Sequence, residues 1–76
     1  MNKEEFLVEL EKILQRDEAC KETDVLDEYD EWDSLSKMSV MAFYNKNFGI
    51  TVTLKDLKSL KTVEDLIKLA GDKINA

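Results

Sequence analysis

Among its 76 residues the sequence has no histidine, no proline and a single cysteine. Without histidine it lacks the commonest general base and the commonest nitrogen ligand of metal sites, which argues against catalysis by the chain itself and against a metal centre. Cys20, being alone, can form neither an internal disulfide nor a thiolate metal cluster. Glu18 and Glu22 disfavour its thiolate, whereas Lys21 favours it. We therefore interpret Cys20 as an ordinary free thiol in a reducing compartment.

Long apolar runs are missing as well, and the opening Met-Asn-Lys-Glu-Glu has no apolar signal core. We therefore expect a cytoplasmic protein without membrane insertion. The formal net charge of -6 would repel nucleic acids and anionic membrane surfaces. Basic protein partners are the natural expectation, and we expect the chain itself to be a monomer.

What is present suffices for one small domain over residues 1–76, with 43% apolar residues to build its core. A chain of this length rarely builds both a core and an enclosed catalytic cleft. Composition therefore predicts a small folded domain that is not an enzyme.

The first predicted helix starts at Asn2, which forms a capping box with Glu5. Its apolar residues fall on one arc of the helix: Phe6, Leu7, Leu10, Ile13 and Leu14. A long acidic loop follows, from about Arg16 to Trp32. Its apolar anchors, Val25, Leu26, Tyr29 and Trp32, predict order in its second half. The carboxylates do not fit a calcium loop, because Leu26 and Tyr29 stand where a ligand and a glycine are needed.

A second helix is predicted from Ser34 to about Asn47, and its apolar residues form two separate stripes. We assign the stripe of larger side chains to the core: Val40, Met41, Tyr44 and Phe48. The other stripe is predicted to be exposed and to serve for partner docking: Leu35, Met38 and Ala42.

The segment from Phe48 to Thr53 is predicted to end this helix at Gly49 and to continue as an extended connector. Thr53 and Thr62, each with aspartate three residues later, predict the starts of a short and a longer helix. The longer one places its apolar residues on one arc, with Gly71 as a tolerated weak point: Val63, Leu66, Ile67, Ala70 and Ile74. We expect Asn75 and Ala76 to fray. The fold class is thus all-α: a small bundle of three longer helices and one short helix, with a long loop between helices 1 and 2.

Asp33 and Ser34 stand at the head of the second helix. Both residue types are favoured as helix caps, so simple capping is one interpretation. The other is that Ser34 is modified by a separate enzyme, and the two are compatible if Asp33 caps while Ser34 presents its hydroxyl.

Asp33-Ser34-Leu35 at a helix start, followed by an apolar helix that ends Phe48-Gly49-Ile50, resembles the acyl carrier protein family. The resemblance extends over nearly the whole chain, including the short third helix and the opening of the last helix from Thr62 to Leu66. It implies that Ser34 receives 4'-phosphopantetheine from coenzyme A, through a phosphopantetheinyl transferase. The chain would then carry acyl groups as thioesters between acyl-loading and acyl-using enzymes, in fatty acid, polyketide or D-alanyl metabolism.

Two features depart from the family pattern. Glu31 replaces the usual glycine two residues before the aspartate, and lysines and serines replace the glutamates usual in the second helix. Trp32 before the motif is similar to specialised carriers, and we include it with Asp33 among the motif and docking residues. The rival hypothesis is an unmodified acidic helical module that only binds a protein.

Overall fold

The computed structural model describes residues 1–75, in which four α-helices carry the fold. They are α1 (Lys3–Leu14), α2 (Ser34–Phe48), α3 (Leu54–Lys58) and α4 (Val63–Leu69). Short 3₁₀ turns lie at Leu26–Glu28 and Gly71–Lys73. Over these residues the structure has two isolated β-bridges but no β-strand. The predicted all-α fold class is confirmed.

Three helices begin with the capping boxes that the sequence predicts. The side chains of Asn2, Thr53 and Thr62 each accept a hydrogen bond from the backbone amide three residues later. α2 ends at Gly49, whose φ of 67° places it in the left-handed region that glycine adopts without strain. These helix limits therefore follow from local sequence.

The core lies between the inward faces of the four helices and the second half of the long loop. Among its side chains with the least exposure are Phe6, Leu10, Leu26, Val40, Tyr44, Leu57, Val63 and Leu66. Four aromatic rings meet edge to face within it, with Tyr44 contacting both Phe6 and Phe48, and Phe43 contacting all three. The Tyr44 hydroxyl donates a hydrogen bond to the Leu66 carbonyl and so connects α2 to α4.

The long loop of residues 15–33 is attached to the start of α4. Val25 and Thr62 form an antiparallel bridge, with the Leu26 amide 2.9 Å from the Lys61 carbonyl oxygen and the Val63 amide 3.0 Å from that of Asp24. Leu26, Tyr29 and Trp32 are buried, which agrees with the predicted order in this half, whereas Val25 is 36% exposed. The attachment fixes the chain just before the helix that begins at Ser34.

Two expectations about the C-terminal end are wrong. Gly71 does not lie inside a continuing helix, because α4 ends at Leu69 and Gly71 has a φ of 63° at the start of a 3₁₀ turn. Asn75 does not fray, since it forms a parallel bridge with Asn2 in which its amide donates to the Met1 carbonyl at 2.8 Å. The same expectation for Ala76 lies outside the described residues. The predicted apolar arc is nevertheless buried, from Val63 to Ile74.

Candidate functional site

The site is built on the first turn of α2. Asp33 is the N-cap, and its carboxylate accepts a hydrogen bond from the Ser36 amide at 2.8 Å. This hydrogen bond lowers the pKa of the Asp33 carboxyl below its ordinary value. The Asp33 carbonyl accepts from the Lys37 amide at 3.0 Å, which begins the helical ladder. Asp33 therefore performs the capping, and Ser34 is not needed for it.

Ser34 is the first residue of α2, and its side chain is exposed. The first amides of a helix have no partner within the helix, and the helix dipole makes this end favourable for an anion. A phosphate ester on the Ser34 hydroxyl would thus lie at the favourable end of a 15-residue helix. A second enzyme could reach the hydroxyl without unfolding the chain.

Beside Ser34 the predicted apolar strip of Leu35, Met38 and Ala42 is exposed, as the sequence indicates. Leu35 is 74% exposed and Met38 58% exposed, the two largest values among the exposed large hydrophobic residues. The opposite stripe packs inward, with Val40 and Tyr44 buried. α2 therefore uses one face for the core and leaves a second apolar face next to the candidate site.

Trp32 is buried, unlike Ser34 and Leu35, which are exposed. Only 8% of it is exposed, and it belongs to the hydrophobic core. The Lys37 ammonium lies 5.6 Å from its ring centroid, within cation-π range. In this structure Trp32 supports the segment that presents Ser34, and it is not part of the exposed strip.

Arg16, the sole arginine of the chain, contacts two residues of the loop that precedes Ser34. The sequence did not predict this role. The Arg16 guanidinium lies 3.8 Å from the centroid of the Tyr29 ring, and its Nη1 is 3.0 Å from a carboxylate oxygen of Glu31. The Tyr29 hydroxyl in turn donates to Asp24 at 2.6 Å. Glu31, the departure from the family pattern, is thus the partner of Arg16.

Cys20 is buried at 4% exposure and packs in the core. Burial raises the pKa of its thiol, so it is protonated at neutral pH. Within residues 1–75 no group of three or more histidine, cysteine, aspartate or glutamate side chains is arranged to hold a metal ion. None of the helices in this part of the chain is long and apolar enough to cross a bilayer.

Comparison with known proteins gives one curated relative at a significant level of similarity. It is the acyl carrier protein of Petrotoga mobilis (strain DSM 10674 / SJ95). The two sequences are 27% identical over an alignment of 81 positions, which includes 99% of this chain and 94% of the relative. The chain is thus similar, over nearly its whole length, to a protein named acyl carrier protein. The predicted resemblance to that family is thereby confirmed.

The similarity to this acyl carrier protein covers the N-terminal helix, the loop and the remaining helices together, since nearly all of both chains is included. No protein-family model matches the chain. No solved structure matches it either. The relation to the acyl carrier proteins therefore rests on the one relative together with the motif residues and the helix order.

Proposed function

We propose that this chain is an acyl carrier protein, and that Ser34 is the attachment residue for 4'-phosphopantetheine. The observation that carries the proposal is the position of Ser34: an exposed hydroxyl on the first residue of α2, with capping done by Asp33. Similarity to a relative named acyl carrier protein, over nearly the full length, supports the same role.

The residues of this turn fit the phosphate of the arm. The helix dipole at this end of α2 would stabilise the phosphodiester. In the transfer, the Ser34 oxygen would form a bond to the pantetheine-side phosphorus of coenzyme A as the bond from that phosphorus to the bridging pyrophosphate oxygen breaks. The leaving group is 3',5'-adenosine bisphosphate, and the hydroxyl proton passes to the transferase. When attached, the arm supplies the terminal thiol on which acyl groups are carried as thioesters.

In this proposal the chain itself presents Ser34 for modification and offers a docking surface beside it. The Arg16–Glu31 pair and the packing of Trp32 hold the segment before Ser34, and the strip of Leu35, Met38 and Ala42 is available to partner enzymes. Ser34 needs no activating base in this chain, because the transferase provides it. We infer that the protein is a non-catalytic carrier, modified by a phosphopantetheinyl transferase and served by acyl-loading and acyl-using enzymes.

Intact-mass measurement tests the site. The purified protein is incubated with coenzyme A, Mg²⁺ and a panel of phosphopantetheinyl transferases, and we expect the mass of one phosphopantetheine to be added. Ser34→Ala should remain unmodified. Ser36→Ala is the matched control, because it removes a serine hydroxyl from the same turn and keeps the backbone amide that donates to Asp33. We expect the control to be modified as fully as the wild type.

The exposed strip also suits the rival function, an unmodified module that binds a protein through Leu35 and Met38. The absence of an adduct with every transferase would favour this module. An adduct that persists in Ser34→Ala would show that another residue is the attachment site.

A further inference from the structure

The net charge of -6 is distributed unevenly along the chain. Residues 1–33 contain thirteen acidic and four basic residues, whereas residues 34–61 contain five lysines and one aspartate. α2 has no acidic residue at all. α2, which begins at Ser34, and α3 are therefore locally basic although the whole chain is acidic.

These lysines are not used to hold the fold together. In the described part of the chain, the basic side chains that form ion pairs are Lys3, Lys12, Arg16 and Lys68. The five lysines of residues 34–61 form none there, and only Lys37 has an aromatic contact, with Trp32. Their charges are free to interact with a partner.

The lysines lie beside exposed apolar side chains. At 100° per residue, Leu35, Ala42 and Lys46 point to nearly the same side of α2. α3 packs against α2 and adds Leu54, which is 39% exposed, with Lys58 one helical turn later. We call these six residues the α2–α3 face: Leu35, Met38, Ala42, Lys46, Leu54 and Lys58.

Two of the carboxylates close to this face already have partners. Asp33 is bound to the first turn of α2, and Glu31 is paired with Arg16. A partner with a basic rim would place its cations against unpaired lysines and gain little from these two acids. Like charges brought together at an interface oppose binding, whereas opposite charges speed and select it.

We propose that the α2–α3 face binds protein surfaces that offer an apolar pocket rimmed by carboxylates. Leu35 and Met38 enter the pocket, and Lys46 and Lys58 meet the rim. This names the kind of partner that approaches Ser34 and so rests on the proposed function, but its test needs no modification of Ser34. It also revises the expectation of basic partners, since the charge that matters is local to the face.

The test uses ¹⁵N-labelled Ser34→Ala protein and two amphipathic helical peptides as probes. Both peptides carry the same leucine stripe, flanked by glutamates in one and by lysines in the other. We expect the glutamate peptide to shift the amide signals of the α2–α3 face, with about tenfold higher affinity there than the lysine peptide. Added salt should reduce this preference.

Charge reversal provides the control. Lys46→Glu with Lys58→Glu should abolish the preference for the glutamate peptide. The matched control is Lys68→Glu on α4, which changes the charge by the same amount per site. Lys68 has only an exposed ion pair with Glu64. This variant should therefore keep the preference for the glutamate peptide. Equal affinity of the two peptides, shifts centred elsewhere, or no binding at the face would overturn the proposal. A missing adduct at Ser34, by contrast, would overturn only the proposed function.

Discussion

At the scale of single residues, the Tyr44 hydroxyl is the buried polar group that connects two helices of the core. It donates to the Leu66 carbonyl, whose usual helical donor would be the Ala70 amide. That amide donates instead to the Ile67 carbonyl at 3.1 Å, because α4 tightens at its end. Tyr44 therefore satisfies a carbonyl that the helix leaves open.

Tyr44→Phe should destabilise the fold without changing its shape. A buried carbonyl that loses its donor costs about 1–3 kcal/mol, and we expect a loss in that range in the free energy of unfolding measured with urea. Tyr29→Phe is the comparison, since its hydroxyl bonds a partly buried carboxylate that can turn to water. We expect a smaller loss there, and a Tyr44→Phe protein as stable as wild type would contradict the assigned hydrogen bond.

Some residues of the candidate site were predictable from sequence, because their roles depend on near neighbours. Asp33 caps the helix that it precedes, and Leu35 and Met38 lie on the face that helical spacing assigns to them. The burial of Trp32 was predictable too, since it is one of the apolar anchors of the loop. The role of Arg16 was not predictable. It depends on contacts across a loop that has no helical or strand period, and a lone arginine in an acidic loop does not reveal which carboxylate it pairs with.

At the scale of elements, α4 depends on its N-terminal cap more than the longer helices do. It has seven residues, and isolated helices of that length are unstable in water. Thr62 accepts from the Asp65 amide, while the Asp65 carboxylate accepts from the amides of Thr62 and Lys61. Thr62 also forms the antiparallel bridge with Val25, and this bridge joins the start of α4 to the long loop.

Thr62→Ala should therefore lower the free energy of unfolding by about 1 kcal/mol, the usual cost of removing a threonine cap. Thr51→Ala is the matched control, because Thr51 is exposed in the extended connector and caps no helix. Chemical denaturation of the two variants checks the difference. Equal stability of both variants would show that the Thr62 hydroxyl contributes nothing.

The first and last residues of the helices show which features of the fold are determined by neighbouring residues in the sequence. Starts at Asn2, Thr53 and Thr62 follow from capping boxes that lie within four residues, so the sequence predicts them. The order at Asn75 does not follow from local sequence, because it depends on contact with the N-terminal segment. Lys3 donates to the Asn75 carbonyl at 3.0 Å, an interaction between opposite ends of the chain.

At the scale of the whole molecule, hydrogen-bonded carboxylates link the stability of the fold to pH. The pKa of Asp24 is lowered by the Tyr29 hydroxyl, that of Asp33 by the Ser36 amide and that of Asp65 by the Lys61 amide. A carboxyl with a lowered folded-state pKa adds stability above its unfolded value, here 3.8, and loses it as pH falls through the folded-state pKa. All three act in the same direction, so acid should weaken the whole fold.

Asp33→Asn separates this titration from the capping itself. Asparagine caps helices as well as aspartate does but cannot titrate, so the variant should lose less stability than wild type as the pH falls from about 5 to about 2. Urea midpoints at several pH values measure the difference, with Asp27→Asn as the control on an exposed loop aspartate. Because the cap survives in the variant, any reduction in pH dependence comes from the lost proton site. If the urea midpoints of Asp33→Asn and wild type fall equally with pH, the first turn of α2 does not contribute to the pH dependence. The loss of stability in acid would then be assigned to Asp24 and Asp65, where the loop meets α4.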